Sequence, residues 1–201
     1  MKPFLFATAL ALTAGAALAA ATVGQPAPAF TAVDATGKTV SLADHKGKHV
    51  VLEWVNPGCP YVRKHYDSAN MQGTQKEATS RGVVWLAVNS TALDASDYKT
   101  PAAMAQWMQG HKAAASATLM DSDGKVGRAY GARTTPHMYI VDPAGTLVYA
   151  GAIDDKPTAS VADIAVATNH VKVALAESLA GKAVSTPTTR PYGCSVKYSS
   201  M

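Results

Sequence analysis

The chain has 201 residues, a formal charge of +4 and 16% charged side chains, enough for one hydrophobic core and short of two ordinary domains of roughly 100–200 residues each. Its lysines and arginines are scattered, with no run of about five or six like charges, which excludes a nucleic-acid-binding arm. Cys59 and Cys194 are the two cysteines, so one intramolecular disulfide is the most the chain can make.

Met1-Lys2, the uncharged stretch from Pro3 to Ala16 and then Ala17-Leu18-Ala19 match a secretory signal peptide ending in a small-x-small cleavage site. The apolar part is shorter and more alanine-rich than the roughly 20 strongly apolar residues of a membrane span, so no integral span is expected after cleavage. The expectation is a periplasmic or secreted protein with a signal peptide over 1–19, one domain over 20–181 and a tail over 182–201. Outside the reducing cytosol, pairing of Cys59 with Cys194 is chemically allowed.

His49 to Asn56 (HVVLEWVN) is a β-branched and aromatic run that stops at Pro57-Gly58, the pattern of a buried strand entering a turn. Pro60 suits a first helical position, and no further proline follows before Gly82, so the spacing predicts one helix over about 60–80 with Cys59 at its N-terminus. Val83 to Asn89 is a second strand. Thr100-Pro101 starts a helix that carries Met104, Trp107, Met108 and His111 on one stripe. Ala117 to Met120 is a third strand, followed by a turn at 121–124 and a short helix over Lys125 to Tyr130. His137 to Val141 and Thr146 to Ala150 flank Asp142-Pro143-Ala144-Gly145 as a hairpin. Val161, Ile164, Thr168, Val171, Leu175 and Leu179 then predict a helix over 160–180 closed by Gly181. Strand–helix alternation with a final hairpin predicts an α/β fold, a mixed central sheet flanked by helices. The tail after 181 lacks periodicity. Within it, Arg190 to Tyr198 is an island of aromatic and turn residues that would dock rather than fray.

The strand HVVLEWVN, the turn, Cys59 opening a helix and Thr134-Thr135-Pro136 opening a later strand together resemble the thioredoxin superfamily. GQPAPAF, VSLADHKGKHVVLEW and DSDGKVGRAYGARTTPHMYIVDPAGTLVY are most similar to its redoxin (AhpC/TSA-type) branch, which holds the peroxiredoxins and the exported thiol oxidoreductases of cytochrome maturation. The resemblance implies a three-layer thioredoxin-like fold, no cofactor, and thiol chemistry at Cys59. It also implies a cis proline at Pro136, with Thr135 presenting its backbone to substrate, and a substrate-facing rim that includes Pro60 and Tyr61. Glu53 matches the buried acid beneath the thioredoxin site, and burial should raise its pKa toward general acid or base work. A solvent-facing place on an edge strand is the alternative for Glu53.

Two departures matter. The thioredoxin motif is C-x-x-C, and Val62 stands where its second cysteine belongs. The peroxiredoxin motif needs Thr or Ser three residues before the cysteine, where this chain has Asn56. Helix-terminal N–H groups and the neighbouring Arg63, Lys64 and His65 are expected to favour the Cys59 thiolate. A tail of some twenty residues can reach the active face, so Cys194 is expected to pair with Cys59 as the resolving thiol; the arrangement resembles an exported peroxiredoxin-like group with one thioredoxin-type cysteine, which implies redox activity. The substrate is then a protein or small-molecule disulfide or a peroxide, and the partner an external thiol reductant. Two alternatives stand beside this: a binding module stapled by a structural Cys59–Cys194 disulfide, and a copper-handling protein using Cys59, His65 and His137.

Overall fold

The computed structural model describes residues 20–200, so the expected signal peptide lies outside the described residues. The strands are β1 (Thr31–Asp34), β2 (Thr39–Ser41), β3 (Val50–Trp54), β4 (Val84–Asn89), β5 (Ala117–Met120), β6 (Thr134–Thr135), β7 (His137–Val141), β8 (Leu147–Gly151) and β9 (Cys194–Ser195). The helices are α1 (Pro60–Asp67), α2 (Asn70–Ser80), α3 (Pro101–Gly110), α4 (Lys125–Tyr130) and α5 (His170–Leu179). Seven strands form one mixed sheet in the order β2-β1-β5-β4-β3-β7-β8. In it β3, β4 and β5 run parallel, and β7 lies antiparallel to β3. This is the mixed, helix-flanked sheet that the alternation of elements predicts, in the thioredoxin-like fold that the resemblance implies.

The sheet separates two cores. Val51, Val55, Trp85, Met138 and Ile140 meet residues of α1, α2, α3 and α5 on one face. Leu52, Trp54, Leu86 and Tyr139 meet Val126 and Tyr130 of α4 on the other. Apolar burial on this scale, roughly 1.5–3 kcal/mol for each large side chain, makes β3 a rigid platform. All five of its residues are buried, as expected of a strand covered on both faces.

Two predicted helices are each divided in the structure. The helix expected over 60–80 breaks between α1 and α2, where Ala69 adopts a left-handed φ of 59°. The Gln72 side-chain amide donates to the carbonyl of Tyr66 at 2.8 Å, satisfying a group that a continuous helix would have paired. The helix expected over 160–180 becomes a 3₁₀ turn over Val161–Val166 followed by α5. Asn169 separates them as an N-cap, its side chain accepting from the Lys172 N–H at 3.0 Å, and such a cap outweighs continuation of an apolar stripe whose first member, Val161, is exposed. The β1–β2 hairpin has no counterpart in the sequence reading. Its turn is built by the Asp34 carboxylate, which accepts from the backbone N–H groups of Thr36 and Lys38.

Among the described residues no helix is long and apolar enough to cross a membrane.

Candidate active site

The loop leaving β3 is shaped by Asn56. Its side-chain oxygen accepts from the Gly58 N–H at 2.7 Å, its backbone carbonyl accepts from the Cys59 N–H at 3.0 Å, and its amide donates to Asp97 Oδ2 at 2.9 Å. This Asx turn delivers Cys59 as the N-cap of α1, with the Cys59 carbonyl accepting from the N–H groups of Val62 and Arg63. Pro60 follows at the first helical position, where a missing N–H is harmless. Asn56 therefore replaces the peroxiredoxin threonine with a residue whose work is backbone shaping.

The Cys59 thiol donates to the carbonyl of Thr135 at 3.1 Å, and the Thr135–Pro136 peptide is cis, so both residues of the expected loop stand at the cysteine. The tail completes the site. Its β9 pairs antiparallel with β6, placing Cys194 opposite Thr135 in register. Both cysteines are free thiols, and Cys194 packs against the core cluster that contains Cys59. Burial and the adjoining Cys59 push the Cys194 thiol up to about 12. Cys59 is only 1% exposed. Of the remaining expected rim residues, Tyr61 packs edge-on against Tyr192 of the tail with ring centres 5.9 Å apart, and Pro60 is exposed.

The cations expected to support a Cys59 thiolate are engaged elsewhere. Arg63 lies 3.8 Å from Asp67 on the solvent side of α1. The Lys64 ammonium is buried, donates to the carbonyl of Lys156 at 2.9 Å and sits 3.6 Å from Asp154. His65 is buried and held down to about 4 by desolvation, against the opposing pull of Asp154, so it is neutral at pH 7. With all three engaged elsewhere, the N-terminus of α1 is left as the electrostatic feature at Cys59.

Glu53 is fully buried on central strand β3, between β4 and β7, which removes the edge-strand alternative. Desolvation raises its pKa against three hydrogen bonds that lower it. Tyr66 O–H donates at 2.8 Å, Trp85 Nε1–H at 2.7 Å and Gln75 Nε2–H at 3.0 Å. Its hydrogen bonds thus tie α1, α2 and β4 to β3.

Sequence reasoning missed the tail's anchor. Tyr192 O–H donates to Asp154 Oδ1 and lies 3.3 Å from His65 Nε2, with the Lys64 ammonium 5.6 Å from its ring centre. Further along, Ala92 N–H donates to the carbonyl of Lys197, Lys197 pairs with Asp97, and Tyr198 O–H donates to the carbonyl of Ala132. The aromatic island at 190–198 was the signal for docking. Nothing local in the sequence marks Asp154 or Lys64 as its receivers.

The buried His65 carries a pH prediction. A histidine whose folded pKa lies below the ordinary 6.5 leaves stability untouched above that value. As pH falls toward about 4, the unfolded chain takes up a proton that the folded chain refuses, and stability declines by about 1.4 kcal/mol per pH unit. Urea unfolding at pH 7, 6 and 5 should show this slope reduced by one proton in His65→Gln.

The copper set is not brought together. His65 Nδ1 accepts from the Asn70 side chain, and His137 Nδ1 faces Tyr139 O–H and the Arg133 N–H. No three His, Cys, Asp or Glu side chains gather at ligand distance among the described residues.

The sequence model of the AhpC/TSA family matches residues 23–150. The thiol-disulfide oxidoreductase ResA of Bacillus subtilis strain 168 is 28% identical over 125 residues, 62% of this chain and 64% of that protein. The chain thus spans slightly less than two thirds of that relative's length. Among solved structures, the thioredoxin domain of a thiol-disulfide oxidoreductase of Bacteroides vulgatus is 28% identical with a TM-score of 0.51, covering 64% of this chain and 87% of that one. A hypothetical protein of Sinorhizobium meliloti 1021 shares the fold with a TM-score of 0.77 at 23% identity, over 91% of this chain and 98% of that one.

Proposed function

The chain belongs to the AhpC/TSA family, and from that premise we propose that it is a thiol-disulfide oxidoreductase or thiol-dependent antioxidant protein with Cys59 as nucleophile and Cys194 as disulfide partner. The observation that carries this reading is the pairing of Cys194 with Thr135, the residue whose carbonyl accepts the Cys59 thiol. Val62 leaves α1 without a second cysteine, and the tail supplies one from 135 residues further along (59 to 194).

With a disulfide substrate, the Cys59 thiolate attacks one sulfur, the substrate S–S bond breaks, and the departing thiolate takes a proton. Cys194, once deprotonated, attacks the Cys59 sulfur of the mixed disulfide and expels the second substrate thiol. With a peroxide, Cys59 takes the distal oxygen as a sulfenic acid while the alcohol or water leaves, and Cys194 displaces that oxygen as water. Both routes end at a Cys59–Cys194 disulfide and transfer two electrons, so an external thiol must restore the dithiol. Oxidation of Cys59 also removes its contribution to the raised pKa of Cys194. The signal-peptide pattern supports export, where such a couple is not swamped by cytosolic glutathione.

Equilibration of the protein in glutathione buffers tests the reading. A working couple comes into balance between roughly −120 and −270 mV, whereas a structural bond stays oxidised to below roughly −300 mV. Mass analysis should find a Cys59–Cys194 disulfide that appears and disappears within the working range. In Cys194→Ser, Cys59 should remain trapped as a mixed disulfide with glutathione. A bond that stays closed at every poise would favour the stapled binding module and overturn the redox reading.

A further inference from the structure

The tail does more than carry Cys194 to the site. From Thr188 onward it lies on the domain as a strap. Thr188 pairs with Ala150, the Thr189 hydroxyl accepts from Ala152 N–H at 2.9 Å, Cys194 and Ser195 pair with β6, and Val196 N–H donates to the carbonyl of Arg133 at 3.0 Å. The strap covers the β6 edge beside the cis proline, and Cys59 beneath it is 1% exposed.

Between Thr189 and Cys194 the strap is fastened by Tyr192. Its receiver, Asp154, is 2% exposed. Asp154 Oδ1 accepts from Tyr192 O–H and from the Lys156 N–H, while Oδ2 has no hydrogen-bond partner and lies 3.6 Å from Lys64 Nζ and 3.8 Å from His65 Nε2. Laying the strap over Asp154 and Lys64 takes both charges out of water, which opposes docking. The Tyr192 hydroxyl is the strap's own donor to that carboxylate, and a hydrogen bond to a charged acceptor is among the stronger ones. An open groove of about 570 Å³, lined by Thr134, Asp154, Asp155, Arg190, Tyr192 and Gly193 among others, adjoins the fastening.

We propose that Tyr192 is a positioning residue that sets access to Cys59: its hydroxyl latches the strap onto Asp154, and Cys59 meets an external thiol reagent or substrate when the latch opens. Access to Cys59 matters for turnover only if Cys59 is the working thiol, so this assignment rests on the redox reading for its consequence, while its test depends on the strap alone. Opening is a local event, separate from global unfolding, and the reactivity of a covered thiol follows the population of the open form.

The test is the rate at which iodoacetamide alkylates Cys59 in the reduced full chain, resolved from Cys194 by peptide mass analysis, alongside the urea midpoint of the whole domain. Tyr192→Phe keeps the ring against Tyr61 and Lys64 and removes only the donor. It should alkylate at Cys59 about tenfold faster or more, at a rate that rises only weakly with sub-denaturing urea, with an unchanged far-UV spectrum and a loss of global stability no larger than that same factor. Asp154→Asn keeps an acceptor and should show a smaller acceleration. Equal rates in the wild type and Tyr192→Phe would overturn the latch. So would an alkylation rate that rises with urea as steeply as global unfolding does, which would mean that Cys59 is exposed by unfolding of the domain and not by release of the strap. Failure of the redox reading has a different signature, a Cys59–Cys194 bond that does not respond to the glutathione poise while the alkylation rates still differ.

Discussion

Gly193→Ala is expected to lift Cys194 off Thr135 and, in the proposed redox couple, to lower the stability of a Cys59–Cys194 disulfide against glutathione by about 100-fold. Gly193 has a φ of 128°, in a region that L side chains rarely occupy, and a Cβ placed on it would stand 2.0 Å from the carbonyl oxygen of Thr135 and 2.8 Å from the carbonyl carbon. Both are backbone atoms of the cis-proline loop, so no flexible side chain is available to give way. Relief must come from the strap, whose β6 partner is only two residues long. A displacement that forfeits this short pairing, at about 3 kcal/mol, corresponds to about 100-fold in the effective concentration of one thiol at the other. Glutathione titration followed by thiol counting measures it. The fall in the urea midpoint of the reduced protein should be limited to the free energy with which the strap is docked, because the seven-stranded sheet and its two cores do not include residue 193. A wild-type redox equilibrium in Gly193→Ala would show that the close approach to Thr135 does not position Cys194.

The elements that the sequence announced are those whose signals are local. Strand β5 and helix α4 fall on the residues that their turn chemistry marks, and α3 starts at the Thr100 cap, whose hydroxyl accepts from Ala103 N–H. The two divided helices failed for an equally local reason that periodicity does not register: Gln72 and Asn169 offer the backbone side-chain partners that compete with helix continuation. Glu53 illustrates a different limit. On a strand buried on both faces, alternation no longer tells inside from outside, and only the positions of Tyr66, Gln75 and Trp85 on three other elements show that its carboxylate is received. Tail docking is the extreme case. Lys64, Asp154 and Tyr192 come from α1, the loop after β8 and the tail, and neither spacing nor composition connects them. The resemblance located Cys59 and the Thr135–Pro136 loop, but the register that sets Cys194 opposite Thr135 is a property of the folded chain.

Glu53→Ala should destabilise the domain by about 3–5 kcal/mol, a large part of the 5–15 kcal/mol that holds a typical domain together. The substitution leaves Tyr66 O–H, Trp85 Nε1–H and one Gln75 N–H without their acceptor in a site closed to water, and each buried donor so abandoned costs about 1–3 kcal/mol before any cavity is counted. Tyr66 also packs on Trp107 with ring centres 4.6 Å apart, so the loosening should spread into α3. Glu53→Gln retains one acceptor oxygen for Trp85 and Gln75 but turns an N–H₂ toward Tyr66, and should cost about 1–2 kcal/mol. Urea unfolding checks both values. The same pair separates two roles for this acid. If Glu53 serves only to fasten α1 and α2 to β3, the pH profile of Cys59 alkylation in Glu53→Gln should coincide with that of the wild type once the lower stability is allowed for. If the carboxylate moves the proton during thiol exchange, the profile should lose its dependence on a group titrating above the ordinary carboxylate range, the direction in which burial drives Glu53. The three hydrogen bonds run to Tyr66, Gln75 and Trp85 and to neither cysteine, and that geometry favours the fastening role: Glu53 fixes the platform from which α1 presents Cys59.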